Sequence, residues 1–74
     1  MVKMEELSFS KGDIAYYVRE ATEEIVKLKI RTVANDHVVG ISDKGYSHLI
    51  FNKNFGVLLY KDRGYALEYL KNKL

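Results

Sequence analysis

The sequence predicts a small, mainly β domain that ends in one helix, and three observations support this prediction. Short segments rich in Val, Ile, Tyr and Phe alternate with turn-forming Gly, Asn and Asp residues. The 74-residue chain has no proline, and its five glycines lie far apart, so no linker or repeat is expected. Residues 62–74 carry apolar side chains at helical spacing. A chain of this length is predicted to be a single domain over residues 1–74.

Five segments between the turn residues are predicted as strands: 13–19, 25–33, 38–42, 46–51 and 57–60. The first two are expected to form a hairpin around residues 21–23, with apolar side chains matched across its inner side. This matching gives three inward pairs: Val18 with Val26, Tyr16 with Leu28 and Ile14 with Ile30. Tyr17 would then lie beside Lys27 on the outer side.

The stretch IVKLKIRT, residues 25–32, is the main evidence for strands over a helix. Its aliphatic residues alternate with Lys27, Lys29 and Arg31 at a period of two, and β-branched residues are dense there. This predicts a strand with its cations in water. The alternative is an α+β fold with an N-terminal helix over residues 13–30, which Asp13 would cap.

The segment 46–51 does not reveal which of its faces is buried. Two sets of alternate residues are equally apolar: Tyr46, His48 and Ile50, and Ser47, Leu49 and Phe51.

The C-terminal helix is predicted over residues 62–74. Asp62 is expected to cap its first amides, and Lys71 and Lys73 lie where the helix dipole favours cations. Gly64 in the first turn leaves the start of the helix open. An apolar stripe should pack on the sheet or across an open barrel end, and it consists of Ala66, Leu67, Tyr69, Leu70 and Leu74.

Two stretches carry a resemblance to a known group of proteins. They are Phe9-x-Lys11-Gly12-Asp13-Ile14-Ala15-Tyr16-Tyr17-Val18 and, after four more predicted strands, LLYKDRGYALEYL at residues 58–70. Together they resemble the small SH3-like barrels of bacteria, phages and mobile elements, in which a Gly-Asp turn opens the first strand and a short helix ends the chain. The resemblance implies a five-stranded, SH3-like open barrel over residues 13–60, a helix over residues 62–74, and binding of nucleic acid, peptide or protein.

Composition and charge exclude several classes of protein. The absence of cysteine rules out disulfides and thiolate zinc sites, and no apolar run approaches the ~18 residues of a membrane span. Residues 1–10 are a candidate flexible segment whose acids do not fit an export signal, so a cytoplasmic protein without a membrane partner is expected. Residues 1–24 hold three basic and six acidic side chains, net −3, whereas residues 25–74 hold nine and four, net +5.

No catalytic or cofactor site is expected. The serines lie outside any nucleophile-elbow pattern, and the adjacent acids of Glu5-Glu6 and Glu23-Glu24 diverge instead of facing one substrate atom. The glycines form no phosphate-binding loop. His37 and His48 lack a third metal ligand. The sequence therefore predicts a protein that is not an enzyme and holds no cofactor or metal.

The predicted function is that of a binding module in protein–protein interaction, assembly or regulation, using exposed tyrosines and a barrel edge. Self-association into a homo-oligomer is a further option. The alternative is nucleic-acid binding, because outward residues on a strand lie roughly 6.5–7 Å apart, close to the spacing of phosphates. A solvated strand face explains the same lysines without a ligand. The candidate binding residues are Lys27, Lys29, Arg31, Lys44, Lys53, Tyr17 and Tyr46.

Overall fold

The computed structural model describes residues 8–73, and these form a five-stranded antiparallel sheet, curled into a half-barrel, with one C-terminal helix. The elements in chain order are β1 (Ile14–Arg19), β2 (Glu24–Val33), β3 (His37–Ser42), β4 (Ser47–Phe51), a 3₁₀ turn (Asn52–Asn54), β5 (Leu59–Tyr60) and α1 (Arg63–Lys73). The strand order is β4-β3-β2-β1-β5, so β4 and β5 are the edges. The predicted mainly β fold is confirmed. The alternative helix over residues 13–30 is wrong, because those residues form β1 and most of β2.

The inner, concave face of the sheet holds the main core. Its buried members come from every strand and from the segment before β1: Phe9, Ala15, Leu28, Ile30, Val38, Ile50 and Leu59. Phe9 is only 5% exposed and meets the Phe55 ring edge to face, with 4.9 Å between the centroids. The predicted flexible segment over residues 1–10 falls mostly on residues 1–7, which lie outside the described residues. At its end, Phe9 belongs to the core.

The pairing of β1 with β2 differs by one residue from the predicted register. Ala15 lies opposite Leu28 and Tyr17 opposite Val26, so Ala15 and Tyr17 face the main core. Tyr16 is the residue opposite Lys27 on the outer face. The predicted placement of Tyr17 beside Lys27 is therefore wrong. The apolar pattern could not decide this, because β1 is covered on both faces and is apolar on both.

The helix α1 covers the outer face of the sheet at β1. Ala66 and Leu70 are buried against Val18, which is 1% exposed, and Tyr16 and Tyr69 pack around this second cluster. The helix begins as predicted, since the Gly64 N–H donates a hydrogen bond to Asp62 Oδ1 at 2.9 Å. One stripe residue departs from the prediction, because Leu67 is 40% exposed. The predicted stripe residue Leu74 lies outside the described residues.

A side-chain hydrogen bond ties α1 to the turn between β1 and β2. The Tyr69 hydroxyl donates to the Glu20 carboxylate. Because ionisation would break this bond, and because burial and the Glu20 charge disfavour a phenolate, the pKa of Tyr69 is raised above its ordinary 10.0. Burial, followed by the nearby Tyr69, also raises the pKa of Tyr60. The two rings lie 6.4 Å apart at their centroids.

The contact between β2 and β3 depends on a glycine. A Cβ built on Gly40 would lie 2.9 Å from Leu28 Cβ and 3.0 Å from Leu28 Cδ1, so only glycine leaves room for the leucine. Further along the same pair of strands, the register shifts between Ile30 and Thr32. Arg31 is the extra residue in this β-bulge.

We predict that Gly40→Ala destabilises the protein by about 1–3 kcal/mol, because the new methyl group overlaps the Leu28 side chain at its Cβ atom. Gly64→Ala is the matched control: its Cβ would meet Asp62 Oδ1 at 3.4 Å, an ordinary contact, and alanine favours a helix. Urea unfolding of both variants measures the difference. Equal stability of the two variants would contradict the packing.

We predict that the stabilising effect of the Tyr69 hydroxyl is lost at alkaline pH. The pKa of Tyr69 is raised in the folded state, so its contribution is complete below the unfolded pKa of 10.0 and declines as pH rises through the folded pKa. Tyr69→Phe should therefore lower the melting temperature at neutral pH, and the difference from wild type should shrink above pH ~10. Tyr65→Phe, at a residue 63% exposed on the same helix, is the control. A difference that stays constant with pH would refute the assignment.

Candidate functional site

Within residues 8–73, the outer face of the sheet is covered on one side only, by α1. The helix α1 contacts β1, β5 and β2. Towards β4 the outer side chains remain accessible: Leu49 is 53% exposed and Phe51 is 47% exposed. At the N-terminal end of β1, Ile14 is 40% exposed. We call this region the open face, and it consists of Ile14, Val39, Ile41, Leu49 and Phe51.

The burial of Ile50 shows which side of β4 faces the core. Ile50 is 2% exposed and lies opposite Val38 in the main core, so Leu49 and Phe51 point outward. Val39 lies opposite Leu49, and the His37 ring meets the Phe51 ring at 6.1 Å between centroids. These outward residues thus form a continuous apolar surface across β3 and β4.

This surface was not predicted from the sequence, because the β3 pattern favours the opposite assignment. The outward residues Val39 and Ile41 are the larger apolar ones, whereas Gly40 and Ser42 are the buried ones. By size alone the outward pair should be in the core. The available signal was Gly40, since a glycine inside a strand often marks a close approach by a neighbour.

Cationic side chains border the open face. Lys27 and Lys29 are exposed on the outer side of β2, where Lys29 lies between Ile14 on β1 and Ile41 on β3. Two shallow clefts cross this region, with volumes of about 330 and 310 Å³. Ile14, Lys27, Lys29 and Ile41 line the first, among others. Lys29 and Ile41 also line the second, together with Lys11 and Arg31.

A third cleft lies at one end of the sheet, where β2 extends beyond β3. Residues 24–27 of β2 pair with β1 but not with β3, whose first partner on β2 is Leu28. The space beside them has a volume of about 350 Å³ and reaches the turn between β3 and β4. We call it the end cleft. Its polar and aromatic lining residues are Arg19, Glu24, Lys27, Ser42, Asp43, Lys44, Tyr46 and His48.

The end cleft holds three of the seven predicted binding residues: Lys27, Lys44 and Tyr46. Tyr46 is 67% exposed. Tyr17 is not a lining residue, but the centroid of its ring is 5.6 Å from that of His48, which does line the cleft. The other predicted residues lie elsewhere.

Lys29 and Arg31 border the open face. Lys53 lies in the 3₁₀ turn, at the opposite end of β4 from Lys44. The bulge at Arg31 also interrupts the regular alternation of the cations.

Residues 8–73 contain neither a metal-binding cluster nor a membrane-spanning helix. No three His, Cys, Asp or Glu side chains come together there in a way that could hold a metal ion. His37 and His48 lie on opposite faces of the sheet, and His37 Nδ1 is 2.7 Å from Asp36 Oδ1. Nor does this part of the chain contain a helix long and apolar enough to cross a membrane.

Comparison of the chain with protein-family models, with curated proteins and with solved structures found no match. The geometry and charge of the described residues therefore carry the functional conclusions.

Proposed function

We propose that the protein is a non-enzymatic binding module whose open face takes a protein segment bearing apolar and acidic side chains. The observation that carries this proposal is the exposure of Leu49 and Phe51, at 53% and 47%, on a sheet face bordered by lysines and arginine. In this proposal the module is cytoplasmic, needs no cofactor, and serves protein–protein interaction or assembly. The resemblance to small SH3-like barrels supports the same class of function by analogy.

The two halves of the outer face differ in how far their apolar side chains are covered. At β1, α1 buries Val18 to 1% exposure and provides Ala66 and Leu70 as the covering side chains. At β3 and β4, equivalent outward residues remain in water. Covering apolar surface is favourable by roughly 25 cal/mol per Å², and contiguous exposed patches mark interaction sites. A partner segment would do at β3 and β4 what α1 does at β1.

The charges on β2 select the kind of partner. Lys11, Lys29 and Arg31 line a cleft together with Ile41, so apolar and cationic groups are presented side by side. A partner with acidic residues next to apolar ones complements both. Complementary charge raises the association rate and excludes basic segments. We therefore propose an acidic, apolar-bearing segment as the ligand.

The test uses arrays of short peptides in which Leu and Phe alternate with Glu, Lys or Ser. We expect the Glu series to bind best, and the amide signals of β2, β3 and β4 to shift on titration with it. Leu49→Ser should weaken binding by about tenfold, as expected for loss of a central apolar contact. Lys29→Glu should also weaken the Glu series and should favour the Lys series.

The matched control is Tyr65→Ser, on the exposed side of α1 at 63% exposure, and it should bind as wild type does. Signal shifts confined to α1, or equal binding of the Glu and Lys series, would refute the proposed face.

We infer a second candidate function, single-stranded nucleic-acid binding, from the end cleft. The observation that favours it is that Lys27, Lys44 and Tyr46 line one cleft, with Arg19 beside them. An exposed ring offers a base a stacking surface, and the cations can follow the backbone. Glu24 and Asp43 in the same lining oppose a polyanion, so this candidate ranks second.

We predict that, if this function is real, single-stranded oligonucleotides bind more weakly as the salt concentration rises. A plot of log K against log[salt] should have a slope of about −0.7 for each phosphate neutralised. Tyr46→Ala should cost about 1–3 kcal/mol of binding free energy through lost stacking. Lys44→Ala should reduce the salt slope, whereas Lys53→Ala, outside the cleft, should not. Absence of salt-sensitive binding at low ionic strength would exclude nucleic acid and leave the protein-binding proposal intact.

A further inference from the structure

We infer that two copies of this chain pair edge to edge along β4 and form one continuous sheet. The two edges of the sheet differ in a way that points to β4. The edge strand β5 has two residues and contacts α1, whereas β4 has five residues, Ser47–Phe51. Within residues 8–73, β4 pairs only with β3. Its other side therefore presents a row of backbone groups that no other strand of the described residues pairs with.

The backbone hydrogen bonds show which groups face this free side. The Ser42 N–H donates to the Tyr46 carbonyl at 2.9 Å, and the Asn52 N–H donates to the Asp36 carbonyl at 2.9 Å. These bonds lie at the two ends of a ladder whose register is unbroken between His37–Phe51 and Ile41–Ser47. Because antiparallel bonding alternates along a strand, His48 and Ile50 bond to β3. The N–H and C=O groups of Ser47, Leu49 and Phe51 then point outward.

The composition of β4 lacks the features that normally protect a free edge. Its sequence, SHLIF, contains no lysine, acid or proline, and its register with β3 contains no bulge. Edge strands are usually protected from pairing by such features. A strand without formal charge can also lie against a second copy of itself without placing like charges opposite each other.

The free groups define a self-complementary register. A two-fold axis at Leu49 sets Leu49 opposite Leu49 of the second copy, and Ser47 opposite Phe51. All of these residues have outward N–H and C=O groups, so the pairing forms about six hydrogen bonds. An isologous contact of this kind closes after two copies. Leu49 and Phe51 of both copies then lie on the same outer face, which doubles the open face.

This pairing goes beyond the proposed function and does not depend on it. It uses the backbone edge of β4, whereas the proposed partner segment contacts side chains on the face. The two can therefore fail separately.

The test measures the mass of the full chain in solution by sedimentation over a concentration series. We expect the wild type to rise from 8.6 kDa towards twice that mass. Ser47→Pro removes one outward N–H at the first residue of the strand, where proline is tolerated, and should weaken dimerisation by at least about tenfold. Leu49→Lys places two lysines opposite each other at the axis and should give a monomer. Tyr65→Lys, on α1, is the matched control and should still dimerise.

Hydrogen exchange tests the register. At high concentration the amides of Ser47, Leu49 and Phe51 should become protected, while those of His48 and Ile50 should be protected at every concentration. Ser47→Pro keeps Leu49 and Phe51 in place, so peptide binding to the open face should survive in it even where dimerisation is lost. Circular dichroism of each variant confirms that it is folded.

A wild-type monomer at all concentrations would overturn the inference. So would a dimer unaffected by both substitutions, or protection that does not follow the alternation.

Discussion

The fit of one leucine between small residues is the constraint on which the rest of the sheet depends. Leu28 lies opposite Ala15 on β1 and opposite Ser42 on β3, and Gly40, two residues from Ser42 on the same strand, leaves it room. A large side chain surrounded by small ones fills the middle of the inner face at normal packing density. This fit also defines the register, because a shift of one residue would turn every side chain to the other face.

The same fit explains why apolar side chains remain outside. Since the inner positions of β3 beside Leu28 are taken by Gly40 and Ser42, the larger Val39 and Ile41 lie on the outer face. The helix α1 covers only the β1 side of that face. The remaining apolar surface, bordered by Lys29 and Arg31, follows from packing on the opposite side of the sheet.

The strand β4 contributes two surfaces with different chemistry. Its outward side chains, Leu49 and Phe51, expose apolar area, and its outer edge presents N–H and C=O groups that no other strand within residues 8–73 pairs with. Side-chain contacts depend on the partner's sequence, whereas backbone pairing is nearly independent of it. A short chain can thus present a face whose contacts depend on side chains and an edge whose contacts depend on the backbone.

The sequence alone was enough to predict five strands, the helix and the solvent-facing cations of β2, although the strand predicted over residues 57–60 is limited to Leu59–Tyr60. Turn residues and the period of the apolar pattern are local signals, and Lys27 and Lys29 must face water because burying an unpaired charge is very unfavourable. The capping of α1 by Asp62 is equally local. Only the tertiary structure decided which face of β1, β3 and β4 is buried, because each carries apolar residues on both faces. It also decided which predicted binding residues meet: Lys27, Lys44 and Tyr46 share the end cleft only because β2 extends past β3, beside a turn that is distant in sequence.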